Sequence, residues 1–424
     1  MRTRSLQTLR LARTTLVLIV LCFIGFPTGH FVVRAAEESP SSCKVWPSEP
    51  PASCPFPKST DITGICFTGK HNQFDYGDTW YPSWASNGNL YSPWTDGSVN
   101  GVKSLSFVLL PDYKQATTGY ATLVGDDPMH LKAVDAGVIV GDPKPYQGRY
   151  PAGSLVYNGV WYYGTYGLLD TENDPDKNLN WDILGPLVGY NYSTDYGKTW
   201  HDSPHTPANP LFGEPDKPGD PVKMGVPHFV DFGKNMQYSP DGKAYLVAHG
   251  AVASDPDPRP ANLSWITGDQ IYLARVKPSV QNINDKSKYE FFGGNNAAGR
   301  PVWTHDFSKI KPLVEWNNNA GSVTITYDAP LKKNLMCITD GGNTISTFNT
   351  YILESDHITG PWKLVVYMSK FGQQAYFVNI PSKFISPDGR AVWLCYSANF
   401  KGHLEENPPD SGYGLGLHEV KLLP

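Results

Sequence analysis

Tyr238-Ser239-Pro240-Asp241-Gly242 and Ile385-Ser386-Pro387-Asp388-Gly389 are near copies of one turn, and each leads into an apolar, β-prone run, Ala244 to His249 (AYLVAH) and Ala391 to Tyr396 (AVWLCY). Proline presets φ while Asp and Gly supply the rest of the bend, so the pair marks the same corner of a repeated unit. The copies stand 147 residues apart. That is two repeats of roughly 70 to 75 residues, and a chain of this length holds about five of them. Further strand-like runs, Lys103 to Leu110 (KSLSFVLL), Gly159 to Tyr166 (GVWYYGTY) and Ser322 to Tyr327 (SVTITY), are bounded by Gly, Pro, Asn or Asp. Repeating a four-stranded unit about an axis leaves only short sheet edges, so the expected fold class is all-β, a β-propeller. Five blades is the favoured count, with six or seven open. Cys337 and Cys395, each inside an apolar run, are expected on neighbouring strands of the last blades.

Composition agrees with this reading. Gly 40, Pro 37, Tyr 24 and Trp 12 with only 18% charged residues describe many turns and much aromatic surface, poor material for long amphipathic helices. The start differs: Arg2, Arg4, Arg10 and Arg13 precede the apolar run Thr14 to Phe26, and Val33-Arg34-Ala35 follows. A basic flank, a short apolar core and a small-residue site form an export signal, expected over residues 1–35 and cleaved near Ala35. Residues 36–60 read as a Pro/Ser-rich strap or linker, and 61–424 as one propeller domain. The expected location is secreted, periplasmic or extracellular, without stable membrane insertion. A net charge of −5 with no Lys/Arg run in the mature chain speaks against nucleic acid as a partner. Five cysteines remain once Cys22 leaves with the leader. An odd count in an oxidising compartment leaves a thiol over, with the pairing open. The sequons Asn191-Tyr192-Ser193 and Asn262-Leu263-Ser264 are read as incidental.

The densest unusual segment is Asp75 to Gly97, DYGDTWYPSWASNGNLYSPWTDG. Asp78 and Asp96 lie at its two ends, with Trp80, Trp84, Tyr91 and Trp94 between them. A strand, a turn and a return strand would bring both carboxylates to one mouth of a propeller. Two facing carboxylates are the minimum for glycoside hydrolysis, one as acid and the other as nucleophile or base. Flat aromatic rings suit the apolar faces of sugars. The competing reading makes both Asp residues turn caps and the Trp residues packing between blades.

Two stretches carry resemblances. Ser193-Thr194-Asp195-Tyr196-Gly197-Lys198-Thr199-Trp200 resembles the Asp-box of sialidase-like propellers, a structural hairpin with Trp packed beneath it. Gly77-Asp78-Thr79-Trp80 followed by Asn89-Leu90-Tyr91-Ser92-Pro93-Trp94-Thr95-Asp96-Gly97 resembles the opening blade of a formerly uncharacterised exported-protein family that includes bacterial endo-D-arabinanases. That resemblance implies a five-bladed propeller hydrolysing a furanoside or related polysaccharide, with Asp78 and Asp96 as the acidic pair.

Other polar groups are candidates for sugar contact: Asp127 and His130 in Gly125 to His130, Asp170 and Glu172 after the aromatic strand, His228 in Gly225 to Asp231, and His249. With no His-x-x-x-His or Cys-x-x-Cys pair, zinc chemistry is not expected. No cofactor is expected, with a structural hard cation such as calcium, held by carboxylates and carbonyls in the channel, left open. No glycine-rich phosphate loop is present, so no nucleotide cofactor is expected. Two rival readings stand beside hydrolysis of an extracellular polysaccharide or oligosaccharide. A lyase would need a His or Tyr base and a cation, for which His130, His228, His249, Arg259 and Arg275 are available. A non-catalytic glycan-binding propeller would release no reducing ends.

Overall fold

The computed structural model describes residues 43–108, 115–170, 181–251, 264–341, 346–399 and 405–424. Five antiparallel sheets succeed one another along the chain as the blades of a propeller. Blade I holds Ser83–Trp84, Leu90–Trp94, Ala116–Val124 and Lys132–Gly141, with a side hairpin of Gly97–Val99 and Val102–Ser104. Blade II holds Gly148–Tyr157, Val160–Leu169 and Ile183–Ser193. Blade III runs from His228–Phe229 through Ala244–Gly250, Gln270–Val276 and Glu290–Asn295 to Pro301–Thr304. Blade IV holds Val323–Asp328, Lys333–Asp340, Asn349–Ser355 and Lys363–Met368. Blade V is composite: Tyr376–Asn379, Ala391–Ser397 and Leu415–Leu423 continue into Gly64–Phe74 and Lys44–Val45, so an early strand of the chain pairs with the last. Helical structure among the described residues is confined to three-residue 3₁₀ turns.

The first strand of each blade is innermost, and main-chain or side-chain hydrogen bonds stitch each to the next. Ser83 Oγ accepts from Val156 N (2.9 Å), Pro227 O from Gly153 N (2.7 Å) and Ile325 O from Asp231 N (2.9 Å). Thr324 Oγ1 donates to Val378 O (2.7 Å), and Asn379 Nδ2 closes the circle on Trp80 O (2.8 Å). Short inner strands cannot satisfy their outward amides alone, and this ring of bonds does it for them. Between the blades lie five apolar clusters, one for each neighbouring pair.

The two quoted turns occupy equivalent corners, between the first and second strands of blades III and V. In both, Gly takes a left-handed backbone, φ 71° at Gly242 and 72° at Gly389, and the Asp carboxylate accepts the amide two residues on. Ser193 to Trp200 is the hairpin expected of it. Asp195 accepts from the Thr199 amide (2.9 Å) and hydroxyl (2.7 Å), and Trp200 packs on Tyr120 and Trp161.

The thiols depart from expectation. Cys43 and Cys66 form a disulfide that ties the strap to the strand Gly64–Phe74, while Cys54, Cys337 and Cys395 are free. Cys337 and Cys395 fall in blades IV and V, but on strands that do not pair with each other. Both thiols are buried in apolar surroundings, which pushes each up to about 12, so they behave as small apolar side chains. The expected leader and the Asn262 sequon lie outside the described residues, among which no helix is long and apolar enough to cross a membrane.

Candidate active site

A pocket of about 440 Å³ opens at the end of the ring where the inner strands begin. Asp78 and Asp96 both line it. They come from two backbone segments that pair directly: Asp78 N donates to Thr95 O (3.0 Å), and Thr95 N donates back to Asp78 O. In a regular ladder the residue opposite Asp78 would share its face and Asp96 would point away. The left-handed backbone at Asp96, φ 46°, breaks that alternation. Close approach of the two segments requires glycine: an ideal Cβ on Gly77 would stand 2.5 Å from Thr95 O and 2.9 Å from Gly97 Cα. The flanking glycines of Gly77-Asp78 and Asp96-Gly97 are therefore part of how the two carboxylates meet.

Phenols surround the pair. Tyr376, first residue of the inner strand of blade V, donates to Asp78 Oδ2 (2.6 Å). Tyr413 donates to the main-chain carbonyl of Asp96 (2.9 Å), beside Asp78, whose buried Oδ1 takes no hydrogen bond in this arrangement. Asp96 Oδ1 accepts from Ser106 N (2.7 Å). Burial pushes Asp78 well above the usual carboxylate range, repulsion from Asp96 adds to this, and the two phenols oppose it. Burial also lifts Asp96, to about 6, against the Ser106 amide and Thr95, which favour its charge. Like charges so placed do not both ionise readily, so the pair holds its last proton more tightly than a lone carboxyl would, and Asp78, with one buried oxygen unpartnered, is the better supported of the two as its holder. Tyr150, Tyr166 and Tyr376 are pushed up by burial first and then by these carboxylates, and remain neutral donors.

The walls are aromatic and apolar: Phe107 and Trp181 meet edge to face (5.6 Å) where blades I and II adjoin, and Trp265 and Phe377 line the other side. These are not the rings expected from the sequence. Trp80 and Trp94 are fully buried and stacked on each other (6.5 Å), with Trp94 pressed onto Gly119 of the neighbouring strand. Tyr91 is buried between blades I and II against Trp161 and Tyr196. Trp84 borders a separate cavity of about 40 Å³ on the ring axis. Trp94 precedes Thr95, the residue opposite Asp78, and so turns to the other face; Trp80 joins it in the cluster between blades I and V, where apolar area is best buried.

The polar candidates separate as well. Asp127 and His130 pair with each other (2.7 Å) on an exposed turn between the third and fourth strands of blade I, away from the pocket. His228 borders the axial cavity, its Nδ1 on Val323 O (3.0 Å), and burial lowers it to about 3. His249 is buried in blade III against Ser264 O (2.9 Å), lowered to about 4 by the same cause. Both imidazoles are neutral and neither lines the pocket. Arg275 is engaged by Glu290 (2.8 Å) and lies over Trp303. The base and cation of a lyase are thus not assembled from these residues; Arg259 lies outside the described residues. So does Glu172. Asp170 follows the strand that carries Tyr166 and Leu168 into the pocket, and its amide is held by Gln147 Oε1 (3.1 Å). Among the described residues, the carboxylates of Asp61, Glu354 and Asp356 converge closely enough for a cation, but the Lys333 ammonium already pairs with all three.

Sequence reasoning missed Tyr376 and Tyr413. The second left a trace, an aromatic residue between glycines in Gly412-Tyr413-Gly414.

No family model matches the chain, and no curated protein does. Among solved structures it is similar to a family 117 glycoside hydrolase of Zobellia galactanivorans, at 13% identity over 85% of this chain and 91% of that one, TM-score 0.44. It is similar to the α-L-arabinofuranosidase of Podospora anserina, solved with cellotriose, at 12% identity over 89% and 95%, TM-score 0.42. The α-L-arabinanase of Penicillium chrysogenum, solved with arabinobiose, is similar at 11% identity over 83% and 99%, TM-score 0.36.

Proposed function

We propose that the protein is a glycoside hydrolase that cleaves an extracellular polysaccharide, an arabinan-like furanoside or a related glycan, with Asp78 and Asp96 as the reacting carboxylates. The observation that carries this reading is the pair itself: two carboxyl groups, from backbone segments that pair directly, line one pocket in unlike surroundings, Asp78 on the Tyr376 phenol and Asp96 on the Ser106 amide. Glycoside hydrolysis needs that division of labour. Asp78, the more strongly raised, serves as the acid that protonates the leaving oxygen. Asp96, whose charge the Ser106 amide supports, acts on the anomeric carbon directly or through water. Tyr376 holds the Asp78 carboxyl in place, and the rings of Phe107, Trp181 and Trp265 offer faces for sugar stacking. Asp170 and Glu172 remain proposed sugar contacts.

The test is a screen of the purified protein against a polysaccharide panel, reading released reducing ends and absorbance near 235 nm. Reducing ends without that absorbance, lost in Asp78→Asn and Asp96→Asn, support hydrolysis. An unsaturated product, or glycan retained with no reducing ends, sinks it in favour of a lyase or a binding propeller.

A further inference from the structure

Tyr413 reaches the carboxylate pair from the start of the strand Leu415–Leu423, and the backbone that carries it is gripped from outside the pocket. The grip is Gln73, on the closing strand Gly64–Phe74 of blade V. Its Oε1 accepts from the Gly412 amide (3.0 Å) and its Nε2 donates to the Tyr413 carbonyl (3.3 Å) and to Asp75 Oδ1 (3.0 Å). Gly412 lies so close to this carboxamide that any Cβ there would overlap it. From the other side, Ala398 N donates to the Gly412 carbonyl (3.1 Å) and Ser397 Oγ to that of Gly414 (2.7 Å). A carboxamide presents one acceptor and one donor side by side, which is what the amide of one residue and the carbonyl of the next require here; a carboxylate or an aliphatic chain does not supply both.

We propose that Gln73 is a positioning residue for the Asp78–Asp96 pair: by clamping Gly412 and Tyr413 it fixes the Tyr413 phenol on the Asp96 carbonyl, beside the Asp78 carboxyl. Gln73 touches neither carboxylate and lines no part of the pocket. It acts through Tyr413, and its importance for turnover rests on the reading of the pair as the reacting groups. The other titratable side chains facing the pair, Tyr150, Tyr166 and Tyr376, come from blades II and V and are independent of this clamp.

The test follows the aspartate carboxyls of the full chain by carbon-13 NMR through a pH titration, comparing variants that keep the wild-type circular dichroism. Tyr413→Phe removes a hydroxyl that favours the charged form of Asp78, the aspartate that gives up its proton last, so the second midpoint of the pair rises by about one pH unit. Gln73→Ala reproduces at least half of that rise with Tyr413 intact, and Gln73→Met, which keeps length and volume, does the same should the shorter variant fold poorly. Thr68→Ala, on the same strand but bonded to Glu419 (2.7 Å), leaves the midpoint unmoved. A wild-type midpoint in either folded Gln73 variant overturns the proposal, as does an equal rise in Thr68→Ala. The titration needs no substrate, so its outcome is separate from that of the hydrolase reading, which falls if turnover survives Asp78→Asn.

Discussion

Asp78 and Asp96 stand in unlike surroundings although they arise from one crossing of the chain. The less supported of the two, Asp78, keeps one buried oxygen of its own without a partner, and Asp96 has a backbone amide fixed on its charge. Hydrolysis in the proposed division requires Asp96 ionised and Asp78 protonated, so kcat/KM should rise with pH through an apparent midpoint of about 6 and fall again at higher pH as Asp78 loses its proton. A profile flat between pH 4 and 7 would contradict that assignment. Stability moves the other way. A carboxyl whose folded value is raised binds its proton more tightly in the native state, so it favours folding below the unfolded value near 4 and loses that advantage as pH climbs to its folded value. Asp96→Asn keeps an acceptor for the Ser106 amide without the charge. It should therefore be more stable than wild type at pH 7.5, by up to about 3 kcal/mol, with the gain vanishing near pH 4. Thermal melts at the two pH values decide it.

At the scale of the strand, the same segment illustrates what a sequence discloses and what it withholds. The flanking glycines and the two carboxylates are local features, and their convergence was legible because a strand, a turn and a return strand suffice to produce it. Which aromatic rings face the pocket was not legible, because that depends on the side of each strand and on one left-handed residue, Asp96, that reverses the expected alternation. Trp80 and Trp94 went to the core, stacked on each other, and the phenols that stand beside the carboxylates instead come from Tyr376 and Tyr413, about 300 residues away in the chain, with no local pattern joining them to Asp78. Equivalent turns in blades III and V were visible because turn chemistry is local, whereas the unpaired thiols depend on where separate strands settle. The packing role of Trp94 carries its own prediction. Its ring is fully buried over Gly119, so Trp94→Ala should destabilise by about 3 to 5 kcal/mol, and denaturant melts should show it. Phe107→Ala at the pocket wall should instead leave the melt within about 1 kcal/mol and weaken glycan binding, read by calorimetry. A large loss of stability there, with affinity intact, would make Phe107 a packing residue as well.

Across the whole ring, closure is the step that makes five separate sheets one structure. Blades I to IV are each built from consecutive chain, but blade V exists only when Gly64–Phe74 pairs with Leu415–Leu423, from Gly64 opposite Leu423 to Phe74 opposite Leu415, with one register shift between Phe67 and His71. Such a seam joins the most distant parts of the described chain, so its loop-closure entropy is the largest in the fold and it should be the first place to open. The Cys43–Cys66 disulfide sits at that seam and spans 23 residues. By the loop-entropy relation it contributes about 3 kcal/mol against the unfolded state. Gln73 lies on the same strand, so opening the seam also releases the clamp on Tyr413. Hydrogen exchange on the Cys43→Ala, Cys66→Ala double variant tests the chain of consequence. Amides of Gly64–Phe74 and Leu415–Leu423 should exchange at least ten times faster than in the wild type, and those of Gly148–Tyr157 in blade II should change little, with a melting temperature lower by several degrees. Uniform acceleration in every blade would mean that the ring opens only by global unfolding, and the disulfide would then stabilise the molecule without marking its seam.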